Sequence, residues 1–491
     1  MRYSFAPLAL AVALLAGCAM VDNPVTGLRE RTVMDESSEI AQGKEANEQV
    51  LAEYGAYQNP KLQAYVNELG QRLARNSHRT QLEWHFMVLD SPEINAFALP
   101  GGYVYVTRGI MAYMESEADL AGVIGHEIGH VTARHASQRA TRQQTAGLGV
   151  LAASILGAVL ESQGISGAGQ LASDLSQSVA AGYIASYSRE QESQADALGA
   201  EYLARTGYNP KRMVDVIEAL KDQERFASDT ARAAGQTPRQ PGGWLSSHPS
   251  NDQRLRDIVQ IADQYGGTYG DDGRARYLPA INGMAFGEGR EQGVTRGRNF
   301  YHEPLGFALT APAGWKIDNS ASALTLINAD RKAGLVVKIV PPQSGATHDE
   351  IIRNVVKPKE GRVDRLAING LSATHFIGTR ADQQGQLQPL ELTVVSGPSN
   401  RNYVLAYASA DALSLQRAHA QLQEAQSSFR ALTAADRVAA RPWALKTEPF
   451  PRGGFAQLVQ HSTLTIPELR LLNGVYGGGD PKPGQLVKVI E

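Results

Sequence analysis

His126-Glu127-Ile128-Gly129-His130 stands inside a stretch, Ser116 to Ala136, whose apolar residues recur with helical spacing. Residues four apart lie on one face of a helix, one turn above the other. Two imidazoles so placed can hold a single zinc ion, with Glu127 beside the coordination position left open. Only 11 of the 491 residues are histidine, so a chance match is rare. The pattern predicts a zinc site, and the rest of the chain has to complete it.

Three protein ligands and one open position make the usual catalytic zinc site. The chain has one cysteine, which excludes a cysteine-based site and any internal disulfide, so the ligands must be histidines and carboxylates. Ser188-Arg189-Glu190-Gln191 reads as a capping box that opens a helix lasting to about Arg205, with Gly207 past its end. Glu192 and Asp196 stand one turn apart on that helix. Glu192 is the candidate third ligand, and Asp196 is placed to accept a hydrogen bond from the outer nitrogen of a ligand histidine. The plain alternative for this pair is an ordinary solvated helix face.

Upstream of the motif, helical pattern runs from Glu36 to Tyr54 and from Pro60 to Ala74. Trp84 to Asp90, Asn95 to Leu99 and Tyr103 to Thr107 read as strands, the last two separated by the turn Pro100-Gly101-Gly102. Ser116 with Asp119 is a capping box for the motif helix. Downstream, a helix is expected from Lys211 to about Phe226, then a mobile loop over 227–243, then His248-Pro249 and a helix around Asp252 to Tyr265. Residues 266–297 read as a linker. From 298 to 432, short strands and two helical stretches predict a β-rich α+β domain with no catalytic constellation. Ala146 to Leu160 is apolar but shorter than a membrane span needs, and reads as a buried or lid-forming helix. His135 falls outside the register of the histidine pair and reads as a surface residue; His78 and His85 are unremarkable.

Net charge is −3, which gives no reason to expect a nucleic-acid partner. Arg2, the apolar run Phe5 to Ala16 and Leu15-Ala16-Gly17-Cys18 have the form of a lipoprotein signal over residues 1–17. Cys18 would carry the lipid, and residues 18–35 would be a tether. Ala19 after the cysteine favours the outer membrane of a Gram-negative bacterium, by resemblance to bacterial sorting rules, with the protein facing the periplasm.

Four motifs in order, Asn95-Ala96-Phe97-Ala98-Leu99-Pro100-Gly101-Gly102, the histidine motif, Ser188 to Glu192 with Ala195-Asp196, and His248-Pro249 with Arg254, carry a family likeness. Over residues 36–265 the chain resembles the HtpX/BepA-type zinc metallopeptidases, gluzincins that include the CAAX prenyl endopeptidases. The resemblance implies an α+β, mainly helical zincin domain with a small sheet and one zinc ion per chain. It implies His126, His130 and Glu192 as ligands, Glu127 as general base, and Asp196 and Arg254 behind the ligands. With zinc lowering the pKa of its water and polarising the scissile carbonyl, Glu127 would take the water's proton. His248 would either stabilise the oxyanion or block the zinc as a fourth ligand. Asn95, Ala96, Phe97 and Ala98 read as an edge strand that pairs with extended substrate.

Residues 440–491 resemble a LysM module through Leu469 to Asn473-Gly474 and Pro483-Gly484-Gln485-Leu486-Val487-Lys488-Val489, which implies peptidoglycan as a partner of 447–490. They depart from that pattern in the first half, where Arg452-Gly453-Gly454 stands. The functional expectation is an endopeptidase for unfolded or misassembled envelope proteins. The alternative is an assembly factor for outer-membrane proteins that holds chains in the same cleft without cutting them.

Overall fold

A computed structural model describes residues 19–142, 187–235, 237, 244, 248, 252–320, 323–381 and 386–491. Cys18, the signal and the apolar run 146–160 lie outside the described residues. Among those described, no helix is long and apolar enough to cross a membrane. The chain is α+β and forms two compact units, one of residues 1–286 with 444–491 and one of residues 287–443.

In the first unit a short antiparallel pair, β1 (Ala19–Asp22) and β2 (Arg29–Thr32), precedes α1 (Glu36–Tyr54) and α2 (Pro60–Ala74). Asp35 and Asn59 cap these helices by accepting from Ser38 N and Leu62 N, and Pro60 occupies the first turn, where its missing donor is harmless. β3 (His85–Leu89), β4 (Ala96–Leu99) and β5 (Tyr103–Thr107) form a sheet of order β3-β5-β4, with β3 parallel and β4 antiparallel to the central strand. The reversal between β4 and β5 needs Gly101 (φ 80°) and Gly102 (φ 100°), and a Cβ on Gly102 would meet the Glu83 carbonyl oxygen at 2.7 Å.

After α3 (Arg108–Tyr113) comes α4 (Glu117–Thr132), the motif helix, every residue of which is buried. A helix covered on all sides is the middle of its domain. Ser116 caps it by accepting from Asp119 N, but the Asp119 carboxylate turns to Glu115 N (3.0 Å), so only half of the expected capping box forms. α5 (Arg189–Arg205) has the full Ser188/Gln191 box and crosses α4 closely. α6 (Arg212–Ala233) outlasts its expected end by seven residues, through helix-forming Ala and Arg and the Asp229–Arg232 pair. α7 (Asp252–Asp263) follows.

The stretch expected as a linker is instead structured. Glycine and aspartate dominate only 266–273; beyond them α8 (Arg274–Ile281) buries Tyr277, Leu278 and Ile281, and β6 (Ala285–Phe286) follows.

The second unit holds a four-stranded sheet of β7 (Val294–Arg296), β8 (Asn299–His302), β9 (Phe307–Thr310) and β17 (Arg430–Ala431). Its larger sheet is antiparallel, with order β10-β11-β12-β16-β15-β14-β13. The strands are β10 (Lys316–Asn319), β11 (Leu324–Ile327), β12 (Ala333–Ile339), β13 (Glu360–Ile368), β14 (Leu371–Ala381), β15 (Leu387–Gly397) and β16 (Arg401–Ser409). Phe300, Phe307, Leu326, Leu405 and Phe429 belong to its core. β13 escapes sequence reading because eight of its nine residues are exposed and carry no alternation.

The chain returns to the first unit in β18 (Trp443–Pro449), which pairs antiparallel with β19 (Leu486–Ile490) and lies beside β6. The tail therefore shares a compact unit with the peptidase-like region. The buried Lys488 ammonium donates to the carbonyls of Ala112 (2.8 Å) and Met114 (2.9 Å) and pairs with Glu115 at 2.7 Å. Tyr476 donates to Asp229 at 2.9 Å.

Candidate metal centre

Two helices build the centre, and small residues bring them together. A Cβ on Gly129 would stand 3.0 Å from the Ala195 carbonyl oxygen, and one on Gly199 would stand 3.1 Å from His126 N. This close approach sets Glu192 and Asp196 of α5 opposite His126 and His130 of α4. His248 joins them from the chain before α7, so all four candidate ligands are buried and their ligand atoms lie within 4.8 Å of one another.

The His126 and His130 Nε2 atoms are 3.0 Å apart, and His126 Nε2 is 3.2 Å from His248 Nδ1. Glu192 Oε1 lies 3.5 Å from His130 Nε2 and 2.9 Å from His248 Nδ1; Glu192 Oε2 lies 3.6 Å from His126 Nε2. Metal–nitrogen bonds of about 2.0–2.1 Å in a tetrahedron put neighbouring donors about 3.3 Å apart. These separations bracket that value. Glu192 Oε2 also has no hydrogen-bond partner despite its burial, although Arg254 Nη1 stands 3.1 Å away. Three imidazole nitrogens and a carboxylate converging in this way fit a zinc-type cation.

Each ligand histidine is backed. His126 Nδ1 is 2.9 Å from Asp196 Oδ1, and Arg254 grips the same carboxylate at 2.6 and 2.8 Å while donating to the His248 carbonyl. His130 is backed by His135, its Nδ1 2.8 Å from the His135 Nδ1, and the His130 ring stacks on Tyr187 at 3.9 Å. His135 is fully buried, which corrects its reading as a surface residue. That reading assumed a straight helix. α4 instead ends at Thr132, and Arg134 turns at φ 61° before a second helical segment, 135–142, begins.

Burial works against charge throughout, and neighbours decide each outcome. It pushes the Asp196 carboxyl up, but Arg254 and His126 overcome it and bring the group down to about 2. It pushes Glu192 up as well, and His248, His126 and Arg254 hold that group below its ordinary range. His130 is driven well below its usual value by burial and then by His126, and His135 falls to about 4 for the same first cause. Both rings are therefore neutral, which is the form that binds metal. His248 is raised because Glu192 and Glu127 outweigh its burial.

Glu127 Oε1 lies 3.5 Å from His248 Nε2 and accepts from Trp244 Nε1 at 3.0 Å. Asn95 to Ala98 are buried, with β4 at the sheet edge; the Asn95 carbonyl is taken by Thr107, and Trp244 N donates to the Ile94 carbonyl at 2.8 Å. Trp244 is thus tied to the residue just before the edge strand. Sequence reasoning missed His135, Gln194, Tyr187 and Trp244. His135 carried one usable signal, a third histidine five residues past the motif; the others carried none.

A helix bearing both histidines and the glutamate, with a carboxylate from a second helix, defines the HEXXH class of metallopeptidase centre. Residues 60–262 match the sequence model of peptidase family M48. The beta-barrel assembly-enhancing protease of Yersinia pestis is 31% identical over 245 residues, 49% of this chain and 47% of that protein. Its namesake in Escherichia coli K12 is 32% identical over 206 residues, 42% and 40% of the two chains. The mitochondrial metalloendopeptidase OMA1 of Arabidopsis thaliana is 31% identical over 188 residues, 38% and 33%. The chain thus spans about half or less of the length of these curated relatives. Among solved structures, cyanobacterial PsbP from Synechocystis aligns with 28% of this chain and 98% of its own at 12% identity and a TM-score of 0.22, a level that carries no argument.

Proposed function

We propose that this chain is a zinc endopeptidase that hydrolyses unfolded or misassembled proteins of the bacterial envelope. The observation that carries the reading is the convergence of His126, His130, Glu192 and His248 donors beside Glu127. His126, His130 and Glu192 would hold the zinc, which when bound supplies a Lewis acid that polarises the scissile carbonyl. Glu127 accepts at its carboxylate the proton of the attacking water and returns it to the leaving amine. Asp196, fixed by Arg254, keeps the proton on His126 Nδ1, leaving Nε2 as the donor atom. His248, whose Nδ1 faces the same cluster, would serve as a fourth ligand and hold the centre closed at rest. Asn95 to Ala98 would pair with extended substrate.

Relatives named beta-barrel assembly-enhancing protease support substrates among proteins that assemble as β-barrels. Lipidation at Cys18, attachment to the outer membrane and peptidoglycan binding by residues 447–490 complete the proposal, supported by the sequence motifs. The deciding experiment is cleavage of unfolded casein by the zinc-loaded chain and its Glu127→Gln variant. Cleavage by the wild type alone, at equal zinc content, is expected. Zinc-loaded wild type that leaves casein intact while suppressing its aggregation would establish holding without hydrolysis.

A further inference from the structure

His130 points its two nitrogens in different directions. Nε2 faces the donor cluster, 3.0 Å from His126 Nε2. Nδ1 faces away, 2.8 Å from His135 Nδ1, and the far nitrogen of His135, Nε2, is 2.9 Å from Gln194 Oε1. Proton placement along this line follows from the amide. Gln194 Oε1 can only accept, so the His135 Nε2 carries a proton, and its Nδ1 presents a lone pair. His130 Nδ1 must then be the donor, which leaves Nε2 unprotonated toward the cluster. The reversed amide would reverse every step and put a proton on His130 Nε2, where the other donors converge.

The backbone is shaped for this contact. A helix continued past Thr132 would carry His135 away from His130. Arg134 instead takes φ 61°, a conformation that L side chains rarely adopt, and is held there by its donation to the Met34 carbonyl (2.8 Å) and its pairing with Glu39 (3.1 Å). His126 meets a different partner, the Asp196 carboxylate.

We propose that His135, itself oriented by Gln194, is the positioning residue for His130, fixing the ring's tautomer and direction as Asp196 does for His126, but through an uncharged acceptor. This rests on the metallopeptidase reading above. A neutral acceptor polarises the N–H less than a carboxylate does, so His130 is the less basic donor of the pair.

The test measures zinc affinity of the purified full-length chain by competition with a chromogenic chelator, together with the visible spectrum of its cobalt form. His135→Leu should weaken zinc binding about 10- to 100-fold and shift the cobalt bands, in line with the usual effect of removing a ligand's partner. His135→Asn places a carbonyl oxygen near the lost nitrogen and should recover most of the affinity; Gln194→Ala should lose a smaller part. Wild-type affinity in a folded His135→Leu variant, or an Asn variant no better than Leu, would overturn the proposal. If the Leu variant does not fold, Gln194→Ala decides, a fall in affinity supporting the role and an unchanged value overturning it. A wild-type chain that binds no zinc sinks the metallopeptidase reading itself, whereas intact binding across the variants sinks only the positioning role.

Discussion

The Trp244 indole donates from Nε1 to Oε1 of Glu127 at 3.0 Å, and the same ring stacks on His248 at 4.6 Å. One buried side chain thus engages both the candidate base and the candidate blocking residue. Trp244→Phe keeps an aromatic ring and removes the donor. A hydrogen bond to a charged acceptor is worth about 1.5–3 kcal/mol, so freeing Glu127 should raise casein hydrolysis roughly tenfold or more. A fall in initial rate would show that Trp244 holds the base in its working position instead.

His248 Nδ1 stands 2.9 Å from Glu192 Oε1 and 3.2 Å from His126 Nε2. His248→Ala should therefore vacate the fourth position, leave zinc content unchanged, and increase turnover of unfolded protein. A large loss of turnover at full zinc content would assign His248 to stabilising the oxyanion.

At Gly129 the helix crossing leaves no room for an added atom without movement. Gly129→Ala brings a Cβ to 3.0 Å from the Ala195 carbonyl oxygen and 3.2 Å from Leu198 Cβ. Expected outcomes are a stability loss of about 1–3 kcal/mol and weaker zinc binding, because α5 carries Glu192. Thermal unfolding with and without zinc separates the two effects.

Asp119 supplies a pH dependence away from the ligands. Burial raises its carboxyl to about 7, with Arg212 only partly opposing at 3.9 Å, and Oδ1 has no hydrogen-bond partner. A folded pKa above the unfolded one means that the native state binds the extra proton. The stabilisation is complete below about pH 4 and is lost as pH rises through 7. Asp119→Asn should remove this component, so the difference in melting temperature between wild type and variant should change between pH 5 and 8. Parallel profiles would refute the shift.

Lys488 tests the seating of the tail. Lys488→Met deletes donors to Ala112 and Met114 and leaves Glu115 to Arg274 alone. The expected cost is about 1–3 kcal/mol, read as a lower unfolding midpoint and faster proteolysis of the tail.

What sequence could and could not reveal divides along physical lines. His126 and His130 are legible because one helix brings i and i+4 together, and Glu192 with Asp196 because a capping box announces their helix. The first two helices were readable to the residue for the same reason, their caps being local. His135 was not legible, since its place depends on one left-handed backbone angle at Arg134. Trp244 was illegible because a contact across 117 residues leaves no periodic trace. The linker reading failed because it averaged a turn-rich run with the apolar face of α8.

The chain departs from the first unit at β6 and comes back at β18, and these strands lie side by side, Leu445 N bonding the Met284 carbonyl at 2.8 Å and Gly283 N the Leu445 carbonyl at 2.7 Å. Residues 287–443 are therefore an insertion whose two ends leave and rejoin neighbouring strands of one sheet. Splicing Phe286 to Ala444 through a short turn should leave β6 and the rest of β18 paired, so the peptidase-like unit can serve as a chassis whose passenger is exchangeable.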